Sequence, residues 1–361
     1  MLLRVIRKGL SHKMRITYRI PPSPLTVRHW IKAQGINSLP GDQRMESEPT
    51  LITDLKGVGP TTVARLKEAG FMTLESIAVT PRKELVQRTG ISDDTATGLL
   101  QKVRELMGMG FMTALELFNE KQRTQRLTTG SKNLDKILGG GLETQAITEF
   151  IGECGVGKSQ ICMQLCITTQ LPPEQGGLGG GVLFLDTEGT FSPQRISDIA
   201  KAKGFEPEKF LEHTIYARCF SSDHQMFLID NAPKVIEEEH IKLVIVDSLI
   251  SHFRGEYVGR ETLAERQQKL NQYVHKLLRY AELYNCAVVV TNQIQTSPGT
   301  FFGDPNRPAG GNVVGHGSTH RLYIRKGKAN TRVIHVIKSP YLPEAEARVM
   351  ITAKGVEDAE E

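Results

Sequence analysis

The run Gly152-Glu153-Cys154-Gly155-Val156-Gly157-Lys158-Ser159 narrows what this 361-residue chain can be more than any other feature of it. It fits G-x-x-x-x-G-K-[ST] and lies between an apolar stretch, 146–151, and a segment of helical character from Lys158. That context is what phosphate chemistry needs. Glycines in the turn let backbone N–H groups wrap phosphate oxygens, Lys158 neutralises charge on the β- and γ-phosphates, and the Ser159 hydroxyl is a ligand for Mg²⁺. The candidate ATP-binding set runs on to Gln160.

A phosphate loop of this kind needs a strand feeding a helix, and the chain after Thr128 supplies several. Short apolar runs at 146–151, 182–186, 243–247, 287–291, 321–324 and 332–337 alternate with amphipathic helices, which argues for an α/β fold with a mostly parallel sheet covered by helices. Asp247 ends one run and would hold the magnesium through water, since a carboxylate buried there without an ion is costly. Glu188 ends another and is placed to polarise an attacking water. Gln293 closes a third, where an amide can sense the γ-phosphate; taken alone it would be an ordinary loop residue.

Upstream, Leu51-Ile52-Thr53-Asp54-Leu55-Lys56-Gly57-Val58-Gly59-Pro60 runs into a stretch with Val63, Leu66 and Ala69 at helical spacing and Gly70 as a stop. It resembles a helix-hairpin-helix module, whose turn cradles DNA phosphate, with Lys56, Arg65 and Lys67 supplying charge. A bundle that only packs is the alternative. Helices near 74–78 and 92–107 complete a small all-α domain, and Thr80-Pro81 caps a short helix between them. Gly108-Met109-Gly110 is a flexible break before the second domain.

Charge is uneven. Residues 1–44 hold nine Lys and Arg against one acid, while the remainder carries 36 basic residues against 39 acidic ones, so DNA binding by the bulk of the chain must use local patches. Three readings of that basic, proline-bearing tail stay open: an over-extended start with the true one at Met45, an organelle-targeting segment, or a basic arm touching nucleic acid. No stretch approaches the roughly 18 apolar residues of a membrane span. The five scattered cysteines suit reduced thiols, so a soluble, cytoplasmic protein without a disulfide framework is expected. Cys162 and Cys166 read as core positions rather than metal ligands.

Together the phosphate loop, Leu185-Asp186-Thr187-Glu188-Gly189-Thr190-Phe191, residues 243–247 with Ser248, and Thr291-Asn292-Gln293 resemble the RecA-type ATPases. Leu171-Pro172-Pro173, Ser251-His252-Phe253-Arg254, Gly303-Asp304-Pro305, Gly310-Gly311-Asn312 and Ser339-Pro340-Tyr341-Leu342-Pro343-Glu344-Ala345-Glu346-Ala347 are most similar to the archaeal RadA recombinases and their eukaryotic counterparts. The resemblance covers roughly residues 50–361 and implies a RecA-like P-loop ATPase core preceded by a helix-hairpin-helix domain. It divides the chain into a tail 1–44, a helical domain 45–107, a linker 108–126 and an ATPase core 127–361.

It also implies roles. Phe111 and Ala114 match a polymerisation motif that plugs into the neighbouring subunit. Arg254, Tyr257 and Arg260 match a first DNA-binding loop, and Gly310 and Gly311 lie in a second, 295–317, long and glycine-rich enough to move without ligand. Arg195 matches an arginine that stacks on adenine, and 338–343, ending at Pro343, match a cap over the ATP of the adjacent subunit. Lys338 departs from the pattern, which has an aspartate that helps bind potassium; its ammonium would stand in for that ion. Cys154 replaces a residue that is commonly aromatic. The implied activity is DNA-dependent ATP hydrolysis coupled to homologous pairing and strand exchange in a filament on single-stranded DNA. Its cofactors are ATP and Mg²⁺; its partners are single- and double-stranded DNA, its own copies, and mediators or paralogues at the nucleoid. A hexameric helicase, an ATP-binding mediator and a duplex-binding scaffold are the rival readings.

Overall fold

The computed structural model describes residues 52, 58–122, 124–296 and 306–359. The tail 1–44, Lys56 of the hairpin, Gly303-Asp304-Pro305 and the first hairpin helix apart from Ile52 and Val58 lie outside the described residues.

Among the described residues four α-helices come first: α1 (Pro60–Glu68), α2 (Leu74–Ala78), α3 (Arg82–Thr89) and α4 (Asp93–Leu106). Their limits follow from local chemistry. Pro60 opens α1, where its missing N–H leaves no partner unsatisfied, and Gly70, at φ +82°, turns the chain away. Thr73 and Ser92 each accept a bond of 3.2 Å from the backbone N–H three residues on, capping α2 and α4. The expected cap at Thr80-Pro81 takes another form. Pro81 holds the N-cap position of α3 without a side-chain bond, while the Thr80 hydroxyl donates back to Ser76 O at 2.7 Å and closes α2. Leu66, Leu74, Ile77, Leu85, Leu99 and Val103 fill the bundle. Glu84 of α3 reaches into the α/β part, to Arg279 at 3.0 Å and the nearly buried Lys276 at 3.5 Å.

A helix absent from the sequence reading, α5 (Ala114–Lys121), occupies the linker. Thr113 N donates to Glu116 Oε2 at 2.6 Å and Glu116 N to Thr113 Oγ1 at 3.2 Å, a capping box that fixes its start. Phe111 is fully exposed beside it, and Leu115 and Phe118 stand largely in the open.

β1 (Arg126–Leu127) and β2 (Leu142–Glu143) form a small antiparallel pair with α6 (Lys132–Ile137) between them. Next come β3 (Ile147–Gly152), α7 (Lys158–Thr168), β4 (Gly181–Asp186), α8 (Pro193–Ala202), α9 (Pro207–Glu212), β5 (Thr214–Arg218) and α10 (Ser222–Glu238). The chain continues through β6 (Ile241–Asp247), α11 (Ser251–Glu256), α12 (Leu263–Leu283), β7 (Ala287–Thr296), β8 (Asn306–Pro308) and α13 (Gly311–Gly317). It ends on β9 (His320–Lys326), β10 (Thr331–Lys338), β11 (Glu346–Thr352) and β12 (Gly355–Asp358).

In space the order is β12-β11-β10-β9-β3-β7-β6-β4-β5, with β8 paired to β7. From β9 to β5 the strands are parallel; β8, β10, β11 and β12 are antiparallel additions. The period of two divides each central strand between two cores. Val182 and Phe184 join Phe150, Cys162, Cys166 and Ile245 on one face, and Leu183 and Leu185 join Val246, Leu277 and Val288 on the other.

The parallel strands end together at one edge, where Gly152 pairs with Gln293 and Asp186 with Asp247. Ligands of such sheets bind outside the carboxyl ends of the strands. β10 runs the other way: Arg332 lies across from Lys326 near that edge, and Lys338 lies across from Arg321 at the opposite one.

Candidate nucleotide site

Lys158, Glu188, Asp247 and Gln293 meet at this edge. Gly157 is the N-cap of α7 at φ +106°, so the first turn of the helix faces its free N–H groups into the loop before it. At that φ a side chain would be strained, and a Cβ on Gly157 would also stand 2.0 Å from Ile351 Cδ1, which would have to move. Lys158 is nearly buried and donates to Gly152 O and Glu153 O, both at 2.9 Å. Burial holds its ammonium below the usual lysine range, and Asp247 and Glu188 oppose that pull.

Glu188 Oε1 accepts from Gln293 Nε2 at 2.7 Å and from Ser248 Oγ at 2.8 Å. Asp247 is 2% exposed; its Oδ1 accepts a short bond from Thr291 Oγ1, and Oδ2 has no hydrogen-bond partner among the described residues. Burial pushes its carboxyl above the ordinary range, against the Ser159 and Thr291 hydroxyls. A buried carboxylate oxygen left open beside a serine hydroxyl is an all-oxygen donor set that fits a partly hydrated Mg²⁺.

The sequence reading gave no role to Asp186, which shapes the loop carrying Glu188. Its Oδ1 accepts from Glu188 N (3.0 Å), Gly189 N (2.7 Å) and Thr190 N (3.3 Å), and its Oδ2 from Phe191 N (3.3 Å). An aspartate followed at once by Thr-Glu-Gly is the available signal, since Asp bonds backbone N–H groups just ahead of it. Thr187 ties this strand end to the next, donating to Ser248 O at 2.9 Å and accepting from Ser248 N at 2.7 Å.

Arg195 joins α8 to the phosphate-loop helix through Gln160 Oε1 at 2.7 Å, and donates to Thr352 O and Ala353 O at 2.6 and 2.7 Å. Arg254 and Arg260 are exposed at and after α11, and the Tyr257 ring lies 5.2 Å from the Lys269 ammonium. Gly310 touches the root of that segment: a Cβ on it would meet Ile250 Cδ1 at 2.9 Å, and its carbonyl accepts from Gln267 Nε2 at 3.2 Å. Gly311 follows at φ +61° as the first residue of α13. The described part of 295–317 is thus the end of β7, the strand β8, a turn and the helix α13; 297–305 lie outside the described residues. Lys338 stands at the sheet edge away from the phosphate loop, Phe111 is exposed, and Ala114 opens α5.

Set against known proteins, the chain matches the Rad51 family over residues 120–359 and a SAM-like helix-hairpin-helix tandem over residues 50–105. The DNA repair and recombination protein RadA of Cenarchaeum symbiosum (strain A) is 47% identical over 316 residues, covering 86% of this chain and 79% of that protein.

Proposed function

Because the chain belongs to the Rad51 family, we propose that it is an ATP-dependent DNA recombinase that assembles head to tail on single-stranded DNA and exchanges strands with a homologous duplex. One observation carries the filament reading. Arg332 of β10 donates to Val156 O in the phosphate loop at 2.8 Å, whereas the cap 338–343 starts six residues further on, about 20 Å along an extended strand. A cap there is out of reach of its own subunit's nucleotide and is free to cover that of the next. Phe111, exposed on a glycine-hinged tether with Ala114 opening α5, is the anchor that recruits the next subunit.

On this reading Lys158 and the N–H groups of 152–159 hold the phosphates, with Arg195 at the adenine. Glu188, oriented by Ser248 and Gln293, polarises the attacking water, and Gln293 reports the γ-phosphate to the DNA-binding segments. Ser159 and Asp247 would hold Mg²⁺, which supplies neutralisation of phosphate charge. Arg254, Tyr257, Arg260, Gly310 and Gly311 contact the DNA backbone and leave the bases free, so sequence is read by base pairing. The helical domain 45–107 adds duplex contacts, 108–126 is the assembly linker, and 127–361 is the ATPase. Mediators or paralogues load the protein at the nucleoid. No helix among the described residues is long and apolar enough to cross a membrane.

Electron microscopy of the protein on single-stranded DNA with a slowly hydrolysed ATP analogue tests the assignment. Helical filaments are expected, shortened or absent in Phe111→Ala. Closed rings would point to a helicase and isolated particles to a mediator.

A further inference from the structure

The cap segment is not a free loop. Ser339 Oγ accepts from the backbone N–H groups of Tyr341 at 3.3 Å and Leu342 at 2.9 Å, which occupies both of its lone pairs. Its own proton is left to donate, and His320 Nδ1 stands 3.1 Å away to accept it. The buried His320 therefore carries its proton on Nε2, which donates to Glu143 Oε2 at 2.9 Å. The other Glu143 oxygen accepts from Arg126 Nη2 at 3.0 Å, and the same Nη2 donates to the Tyr341 phenol at 2.8 Å. The circuit begins and ends on the cap.

Its supports are rigid. Arg126 and Glu143 face each other across β1 and β2, and Arg126 Nη1 is fixed to Leu138 O at 2.8 Å. The His320 ring meets the Tyr341 ring edge-on at 5.7 Å. Leu342 rests on Gly139, where an added Cβ would lie 3.3 Å from Leu342 Cδ2. Tyr341 remains 52% exposed, so its phenol is held in place without being buried. All of this lies at the sheet edge opposite the phosphate loop and has no part in the phosphate contacts there.

We propose that Arg126, Glu143 and His320 are positioning residues that fix the turn 339–343 on its own subunit, in the shape that covers the nucleotide of the next. The proposal rests on the reading of 338–343 as a cap. Such a clamp orders the turn before a neighbour docks, so it tightens ATP in the assembled protein and leaves the isolated subunit's affinity alone.

The test compares the apparent KM for ATP of the full chain on saturating single-stranded DNA with the affinity of the unassembled Phe111→Ala form for a fluorescent ATP analogue. His320→Ala, and Arg126→Ala as the less buried variant, should raise KM about tenfold, a loss in the range of one or two hydrogen bonds, with kcat within about twofold. Neither should change nucleotide affinity in the Phe111→Ala background. His320→Gln, which keeps a donor toward Glu143, should recover part of the loss. Equal weakening in both forms, or an unchanged KM in folded variants, overturns the positioning role. Tyr341→Ala combined with Pro343→Gly, which disrupts the cap itself, separates the two readings. If KM rises there but not in the clamp variants, only the clamp fails; if it stays put in all of them, the cap assignment fails and the clamp with it.

Discussion

Asp247 is buried and, without a cation, only half satisfied at its carboxylate. Its pKa in the fold is raised, while in the unfolded chain it titrates in the ordinary range, so the nucleotide-free fold binds that proton more tightly than the unfolded chain does. The resulting stability is complete below the ordinary carboxylate range and is lost as pH rises through the folded value. Asp247→Asn removes the charge and keeps an acceptor for Thr291. It should stabilise the nucleotide-free protein at neutral pH by about 1–2 kcal/mol, with the gain shrinking toward about pH 4, while abolishing ATP hydrolysis. Thermal melts at the two pH values check this, and a lower melting temperature at neutral pH would sink it. Lys158, Glu188 and Asp247 were legible because each has to stand at a fixed place relative to its own strand end. Ser248 and His320 were not, because their partners lie 60 and 177 residues away and no local pattern records such a pairing.

On β7 two adjacent amides have different destinations. Gln293 reaches Glu188, whereas Asn292 Nδ2 donates to Glu149 Oε1 and to Ala309 O, both at 2.7 Å, at the root of the glycine pair 310–311. Alternation along the strand sends neighbouring side chains to opposite faces, so one element carries both the Glu188 contact and the anchor of the segment proposed to bind DNA. Glu149 is fully buried and further held by Arg321 Nε at 2.7 Å. Asn292→Ala should cost about 1–3 kcal/mol of stability and lower the ratio of DNA-stimulated to basal hydrolysis, since Ala309 loses the side-chain donor to its carbonyl and keeps only the backbone bond from its N–H to Gln293 O, while Glu188 keeps both donors. A variant with an unaltered ratio would show that the anchor does not carry the signal. The apolar runs marked the buried strands well, because burial on both faces leaves a continuous hydrophobic signature. β5, β11 and β12 escaped notice because they lie toward the ends of the sheet; β5 and β11 in particular keep several residues partly open to solvent. α5 escaped because its caps, not its hydrophobicity, define it.

At the scale of the whole molecule the proposed assembly would complete the nucleotide site with a second copy, and Lys338 would belong to that shared part. Its Nζ donates to Gly315 O and Ser318 O at 2.7 Å and to His316 O at 3.2 Å, at the end of α13. Carbonyls converging at a helix C-terminus attract a cation, an effect worth about 1 kcal/mol, and here the side chain provides it. Burial and Arg321 hold the Lys338 ammonium below the usual lysine range, with Glu149 opposing them. A covalently supplied cation makes a dissolved one redundant, so DNA-stimulated hydrolysis should run at the same rate in potassium as in sodium. Lys338→Ala should slow it and bring in a preference for potassium, because the carbonyls are then open to an ion. Both effects should vanish in the Phe111→Ala background, where no neighbouring cap is present. A strong potassium requirement in the unmodified protein would mean that the ammonium does not stand in for the ion, and a Lys338→Ala defect of equal size without assembly would mean that it acts within its own subunit.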